Sequence, residues 1–380
     1  MTTSHKPRIL WSTAIFFAAT NLAAVTLVPL WGMTHGYGPV AWGAFTVLLM
    51  AGGMSVTTGY HRLWSHRTFK AAWPVRLALA IFGGMALQNS IYVWAARHRI
   101  HHRHVDDVER DPHSIKTGFW HAHIGWMLRA WPTSEVDFSQ VPDLERDRIV
   151  MWQHRHYWTL VWVSNLGIPI GLGLLTGDVI GMLLLAGVLR LVVSHHFTFF
   201  INSLAHTWGR RPYSEENTAV DNGLLALLTW GEGYHNYHHA FQADYRNGIR
   251  WWQYDPSKWL INLLAWVGLA RDRKKTPWFR IQRARLGIEF NRLKQRAENS
   301  GSVQQNWREL FEREYQQFRD TVSQWQAIQV RKVEAGADAL RDRWQQTEWA
   351  TSLRELEYRL KMQRKRLRAL TEILSPQPAA

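Results

Sequence analysis

"VRLALAIFGGMALQNSIYVW", Val75–Trp94, is twenty residues long and carries one charge, Arg76. Whether it crosses a bilayer decides the fold. A hydrocarbon core takes about 20 apolar residues in helical form, so by length the stretch qualifies. On one side of it lies "HRLWSH" (His61, His66) and directly beyond it "HRIHH" (His98, His101, His102). If the run spanned the membrane alone, these histidines would face opposite compartments and could share no site. We therefore read it as a re-entrant or interfacial helix buried against the protein.

Four other stretches have the length and composition to span: Ile9–Trp31, Val40–Gly59, Tyr157–Thr176 and Val179–Ile201. Short connections join them in pairs, as two helical hairpins. The first is too long, and too closely followed by a second span, for a cleaved signal peptide, and no small-residue cleavage site separates them. Lys6 and Arg8 precede it, which places the amino terminus in the cytoplasm, and two crossings return the chain there just before His61. Arg190 sits in the fourth stretch, where a cation is costly. Either it snorkels, or this helix projects beyond the lipid so that Asn202 and His206 reach the cytoplasmic side.

Composition agrees with a membrane protein, since 46% of the 380 residues are hydrophobic and 23 are Trp, a residue suited to the lipid–water boundary. The net charge of +15 fits an anionic leaflet or an anionic substrate head group, and no nucleic acid is implied. Cysteine is absent, so disulfides, thiolate metal sites and thiol catalysis are excluded, and any metal must be held by imidazole.

From about Arg271 the composition shifts. Arg273, Lys274, Lys275, Arg280, Arg283 and Arg285, with Trp278 and Phe279, read as a membrane-surface segment. Beyond it Phe311, Tyr315, Phe318, Val322 and Trp325, then Leu353, Leu356, Leu360, Leu367, Leu370 and Leu374, follow coiled-coil spacings. Gly336 lies near the break between the runs. This reads as an amphipathic helical hairpin folded on itself or on the cap, rather than a dedicated partner-binding arm. The expected organisation is an all-α integral membrane domain, 1–270, with spans at about 9–31, 40–59, 157–176 and 179–201 and a cytoplasmic helical cap at about 60–156 and 202–270 holding a di-metal site. A basic helical extension covers 271–380.

Three clusters carry the chemistry: His61 and His66; His98, His101 and His102; and His235, His238 and His239 in "HNYHH". Offsets of three and four share a helix face, so each triplet offers its imidazoles to one side. The five-residue offset of the first pair suits a helix end where the chain bends around a metal. Asn202 and His206, four apart, add an amide and a ninth imidazole. His5, His35, His154 and His156 read as ordinary structural histidines, and His195 and His196 as packing or supporting residues.

Nine neutral nitrogen donors suit two ions. Imidazole accepts zinc, copper, iron and nickel alike, so ligand type does not name the metal. A histidine-only dinuclear centre beside a membrane points to dioxygen activation against an unactivated C–H bond, which resists acid, base and nucleophile. A zinc hydrolase would leave five or more histidines idle.

The order and spacing HxxxxH, HxxHH, NxxxH and HxxHH, with "GYHRLWSHRTF", "DPH" (Asp111–His113), "HIGW" (His123–Trp126), "TFFINSLAH" and "GEGYHNYHH", closely resembles the acyl-CoA desaturase family of the Δ9 or stearoyl-CoA type over about residues 10 to 260. The resemblance implies four transmembrane helices under a cytoplasmic cap holding two iron ions. The reaction it implies takes two hydrogens from adjacent methylenes of a saturated acyl-CoA, using O2 and two electrons. Carried over by position, His61, His66, His98, His101, His102, His206, His235, His238 and His239 are the iron ligands, and Asn202 holds one iron through a water. The resemblance also implies a bent tunnel that fixes cis geometry, with a floor between the first two spans, where Phe45 is a candidate. It places the head group near Asn89, Trp94 and "DPHSIKTG", hence Asp111, His113 and Lys116.

The chain departs from animal members at Ala96-Arg97, where they have Arg-Asp, and at Lys116-Thr117, where they have a basic pair. Both positions lie where the coenzyme A nucleotide would rest, so an acyl carrier protein or phospholipid-linked chain stays open as the carrier. No His-Pro-Gly-Gly signature of a fused cytochrome domain is found. The expected electron source is therefore a separate ferredoxin- or cytochrome-type donor with its reductase, and the expected location a bacterial inner membrane. Two other readings are a di-iron hydroxylase of alkanes or lipids, whose box spacings differ and which lacks "HRLWSH", and a non-catalytic membrane scaffold, against which nine metal-type ligands weigh.

Overall fold

The structure, a computed structural model, describes residues 7–299, 305–334 and 343–374. His5, Lys6 and Gly336 lie outside the described residues. Among the described residues four helices are long and apolar enough to cross a membrane: α1 (Trp11–Thr34), α2 (Pro39–Ser65), α5 (Tyr157–Thr176) and α6 (Val179–His206). The second and fourth run further than hydropathy alone suggests, and their extra turns deliver His61 and His206.

The decisive stretch does not span. It breaks into α3 (Trp73–Gly84) and α4 (Ile91–Arg103), and twelve residues at a rise of about 1.5 Å reach only about 18 Å, short of the roughly 30 Å of a hydrocarbon core. The chain reverses through Met85–Ser90, with Leu87 and Asn89 at φ +50° and +76°. A turn buried at this depth must satisfy its polar groups internally, and it does so with side chains from α6. Arg190 Nη1 donates to Met85 O at 3.1 Å, and His195 Nε2 donates to Ala86 O at 3.0 Å.

Arg190 therefore does not snorkel, while its helix runs on to His206 as the alternative reading expects. Arg190 is buried, with its other donors on Ala186 O and, at 2.6 Å, on Asn165 Oδ1. Gly83 permits the close approach of α3 and α2, because a Cβ there would lie 2.3 Å from the Tyr60 ring. Between α6 and the end of this unit come α7 (Gly223–Leu228), α8 (His235–Ala240) and α9 (Pro256–Trp266). A two-residue antiparallel pairing joins Lys70–Ala71 to Ala270–Arg271.

The chain divides between Lys275 and Thr276, with Pro212–Glu215 assigned to the second unit. That unit is a bundle of α10 (Trp278–Asn299), α11 (Gln305–Glu334) and α12 (Arg343–Leu374). Phe279, Leu286, Phe290 and Leu293 from α10 share one core with Phe311, Phe318, Leu356, Leu360 and Leu367. Among the described residues the two coiled-coil runs thus fall on α11 and α12, and α10 packs with them as a third helix. Arg280, Arg283 and Arg285, expected on a membrane-surface segment, belong to a helix whose apolar stripe is used inside the bundle.

Candidate metal centre

His61 enters from a π-helical segment, Val56–Ser65, at the end of α2. The amide of His66 donates to the carbonyl of His61 at 3.0 Å. This i→i+5 bond puts histidines five apart on the same side, with ring centroids 4.8 Å apart. The HxxxxH spacing is thus explained by a widened helix rather than by a bend.

The imidazoles form two groups whose ligand atoms lie within 4.8 Å of one another: His61, His66, His98, His102 and His238, and His101, His206, His235 and His239. The triplets do not present three rings to one side. Each gives its i,i+4 pair to one group and the remaining histidine to the other, since neighbours on a helix diverge by about 100°. α4 gives His98 and His102 to the first group and His101 to the second; α8 gives His235 and His239 to the second and His238 to the first. The two crossed helices therefore build two adjacent sites.

Within each group the Nε2 atoms converge on one another. His238 Nε2 lies 3.0 Å from His61 Nε2 and 2.9 Å from His102 Nε2, and His66 Nε2 lies 2.9 Å from His98 Nε2. In the second group His235 Nε2 lies 3.2 Å from His206 Nε2 and 3.1 Å from His239 Nε2. Right-angle ligands on metal–nitrogen bonds of about 2.1 Å stand about 3.0 Å apart, so these are the edges expected of a coordination polyhedron. Burial first, then the neighbouring imidazoles, pushes His66, His98, His102, His235, His238 and His239 well below the usual imidazole value. Neutral rings offer their lone pairs, and the donor set fits two cations.

Acceptors behind the rings fix which nitrogen is free, the usual arrangement at metal-bound histidine. His101 Nδ1 donates to Asp111 Oδ1 at 3.0 Å, and His61 Nδ1 lies 3.0 Å from Glu232 Oε2. His206 Nδ1 donates to Thr218 Oγ1 at 2.7 Å, and that hydroxyl donates to Asp106 Oδ1 at 2.6 Å. Glu232 also accepts from Arg62 and Asn247. Burial raises the Glu232 carboxyl, but His61 and Arg62 outweigh it and hold the group below its ordinary value. Asp111 is likewise raised by burial and held well below the carboxylate range by His101 and His113.

Glu232, Asp106 and Thr218 are absent from the sequence-derived set, although "GEGYHNYHH" and "HRHVD" display both carboxylates beside histidine triplets. Glu232→Gln should lower metal retention and activity by roughly 10–100-fold, the usual effect of losing such a supporting group. Elemental analysis of the purified variant beside an activity assay checks this, and full retention of both would sink the role given to Glu232.

A narrow cavity of about 50 Å³ opens on the centre, walled by Gly53, Val56 and Thr57 on one side, Trp94 and Trp230 on others, and His61, His98, His101 and His235 at its head. Asn202 lines it as well, beside His101 and His235 of the four-histidine group. Trp94 stacks on His98 with centroids 4.8 Å apart. Among the other expected substrate contacts, Asn89 and Lys116 are exposed, whereas Asp111 and His113 are buried beside His101. The structure thus places Asp111 behind a ligand rather than on the cap surface.

The remaining histidines pack elsewhere. His195 lies against Phe17 and Phe199, and His196 Nε2 contacts Asn21 Oδ1 at 2.9 Å. His35 stacks on Trp31, His154 meets Ser90 Oγ and His156 the Trp152 carbonyl.

Residues 38–262, which contain all nine clustered histidines and Asn202, match the family model described as fatty acid desaturase. The chain is 43% identical over 265 residues to acyl-CoA desaturase 1 of Saccharomyces cerevisiae, covering 69% of this chain and 51% of that protein. It is 45% identical over 232 residues to a probable acyl-CoA desaturase of Schizosaccharomyces pombe, covering 61% and 48%. With stearoyl-CoA desaturase 5 of Bos taurus it is 35% identical over 293 residues, covering 74% and 85%. The chain spans about half the length of the two yeast relatives.

Proposed function

Because the chain belongs to the fatty acid desaturase family, we propose that it is an O2-dependent desaturase placing a cis double bond between the ninth and tenth carbons of a saturated acyl-CoA. The observation that carries this reading is the pair of adjacent all-imidazole clusters at the head of a narrow cavity. In the balance of the reaction, the acyl chain gives up two hydrogens. One O2, with these hydrogens, two electrons and two protons, becomes two waters. Electrons come from a ferredoxin- or cytochrome-type protein and its reductase. Two irons in the imidazole clusters supply the redox chemistry that an unactivated C–H bond demands, which zinc, having no redox chemistry, does not.

The residues of this chain do the rest. Trp94 forms one wall and steadies His98, Asn202 completes the four-histidine group, and Asp111, Glu232 and the Thr218–Asp106 pair keep the ligand nitrogens aimed inward. Lys116 on the cap surface suits an anionic head group, and the carrier is read as coenzyme A. Arg8 ahead of α1 and the two crossings before His61 put the site on the cytoplasmic face, here read as that of a bacterial inner membrane.

The test is expression of the full chain in a bacterium and location of double bonds in its fatty acids by mass spectrometry. A new cis bond at the ninth carbon is expected. Hydroxy acids would replace the reading with a hydroxylase, and an unchanged profile from iron-loaded protein supplied with a reduced donor would overturn it.

A further inference from the structure

We propose that the bundle of α10, α11 and α12 docks on anionic lipid at the surface of the membrane that the chain spans, through one face of α12. That face carries Trp344, Arg354, Tyr358, Lys361, Lys365 and Arg368. α12 is 32 residues long, and Leu356, Leu360 and Leu367 bury one of its sides in the bundle core. At about 100° per residue the six residues lie on the opposite side. All six are exposed, Trp344 to 73% and Tyr358 to 63%. From Arg354 to Arg368 the steps are four, three, four and three residues, so these side chains form one stripe. With Trp344 it is about 36 Å long.

A charged helix face is ordinarily a solvated surface with both signs interspersed, and α11 fits that description, exposing Arg308, Glu312, Arg319 and Asp320. The stripe does not. Among the described residues no carboxylate stands within ion-pair distance of Arg354, Lys361, Lys365 or Arg368, although other cations of α12 are paired: Arg359 with Glu355, Arg364 with Glu289 and Arg366 with Glu314. Glu348, Glu355 and Glu357 lie about 60–100° round the helix from Tyr358, outside the stripe, and Glu372 comes one turn beyond its end. Lys365 has a like charge four residues before it and another three residues after it, an arrangement that weakens a helix. Anions laid along the stripe relieve that repulsion.

Lipid fits the stripe better than a protein does. A straight line of this length suits a plane, whereas a folded partner presents a compact patch. Trp and Tyr among cations are the residues of the lipid–water boundary, and long cationic side chains reach head-group phosphates while their stems cover apolar surface. Attraction to an anionic leaflet acts only within about a Debye length, roughly 8–10 Å. A bundle joined by the chain to membrane-spanning helices never leaves the vicinity of lipid, so a few charges suffice.

The chain has no cysteine, so a single introduced thiol reports on one face. Full-length protein carrying Ala369→Cys, exposed on the stripe, or Ser323→Cys, exposed on α11, is labelled with a fluorophore and placed in lipid nanodiscs. The discs hold phosphatidylcholine alone or with about 30% phosphatidylglycerol, together with a head-group quencher that acts on contact. Both faces of a disc have the same lipid, so the result does not depend on which compartment the bundle faces. Anionic discs should raise quenching of the Ala369→Cys label about threefold or more over neutral discs and leave the Ser323→Cys label unchanged. The gain should vanish at about 0.5 M salt, and also when Arg354, Lys361, Lys365 and Arg368 are together replaced by Gln. Equal quenching in both lipids, or a gain that survives the Gln substitutions, would overturn the proposal. Binding of an acidic ferredoxin to the parent chain but not to the Gln variant, with no response to lipid, would overturn it too and assign the stripe to a protein. None of these readings needs turnover, so they leave the desaturase reading untouched.

Discussion

His101→Ala should abolish double-bond formation while leaving the amount of protein in the membrane unchanged. Among the described residues His101 contributes one of the four imidazoles in its group, with His206, His235 and His239, so its loss leaves three. It also removes one of the hydrogen bonds that the buried Asp111 accepts, the one from His101 Nδ1. Asp111 keeps the amides of Asp106 and His113, so the loop it organises still holds. The fall in activity should exceed the roughly 10–100-fold expected for removing a supporting group, and metal per protein should drop. Mass spectrometry of the lipids with elemental analysis checks both; retained activity would sink the ligand assignment.

Arg190→Leu should cost about 2–5 kcal/mol of stability, because it leaves buried acceptors without donors. Among the described residues Arg190 has no carboxylate partner; its donors meet Ala186 O, Met85 O and Asn165 Oδ1. Met85 O lies at the carboxyl end of α3, where helix carbonyls run out of amides and a cation is favoured. Arg190 thus stands in for the water that a soluble helix end would have, and His195 repeats the device one residue later at Ala86. Thermal unfolding of the detergent-solubilised variant reads the loss, and Arg190→Lys should fall between the two. Since the turn leads straight into α4, metal content should fall as well. An unchanged melting temperature would show that the turn is held by packing alone.

The spans were legible because apolar length is a local property of the chain. The re-entrant helix was legible for another reason: histidines on both sides of it had to share one compartment. Nothing in the sequence marks Arg190 as the cap of that helix, since the carbonyl it caps, Met85 O, is 105 residues away. The histidines were recognisable by their offsets, but their division between two groups depends on how α4 and α8 cross, which no single-helix period encodes. The π-helical turn at Val56–Ser65 lacks a residue signature and is betrayed only by the five-residue offset it serves. In the extension, Arg280, Arg283 and Arg285 masked the stripe of Phe279, Leu286, Phe290 and Leu293, so a bundle helix read as a surface segment.

The contact between His61 and His238 closes a separation of 177 residues, and this has a consequence for biogenesis. At synthesis rates of about 5–20 residues per second, the amino-terminal hairpin waits about 9–35 seconds and the α4 histidines about 7–27 seconds before α8 is made. Until then neither group has its full set of rings, so the centre is completed only after the second hairpin has entered the bilayer. With metal held by these rings, its acquisition would be the closing event of assembly, and the ions would join the two hairpins of the chain. Cells starved of metal should accordingly accumulate a full-length protein whose hairpins are inserted but unjoined, a natural object for quality-control proteases of the membrane.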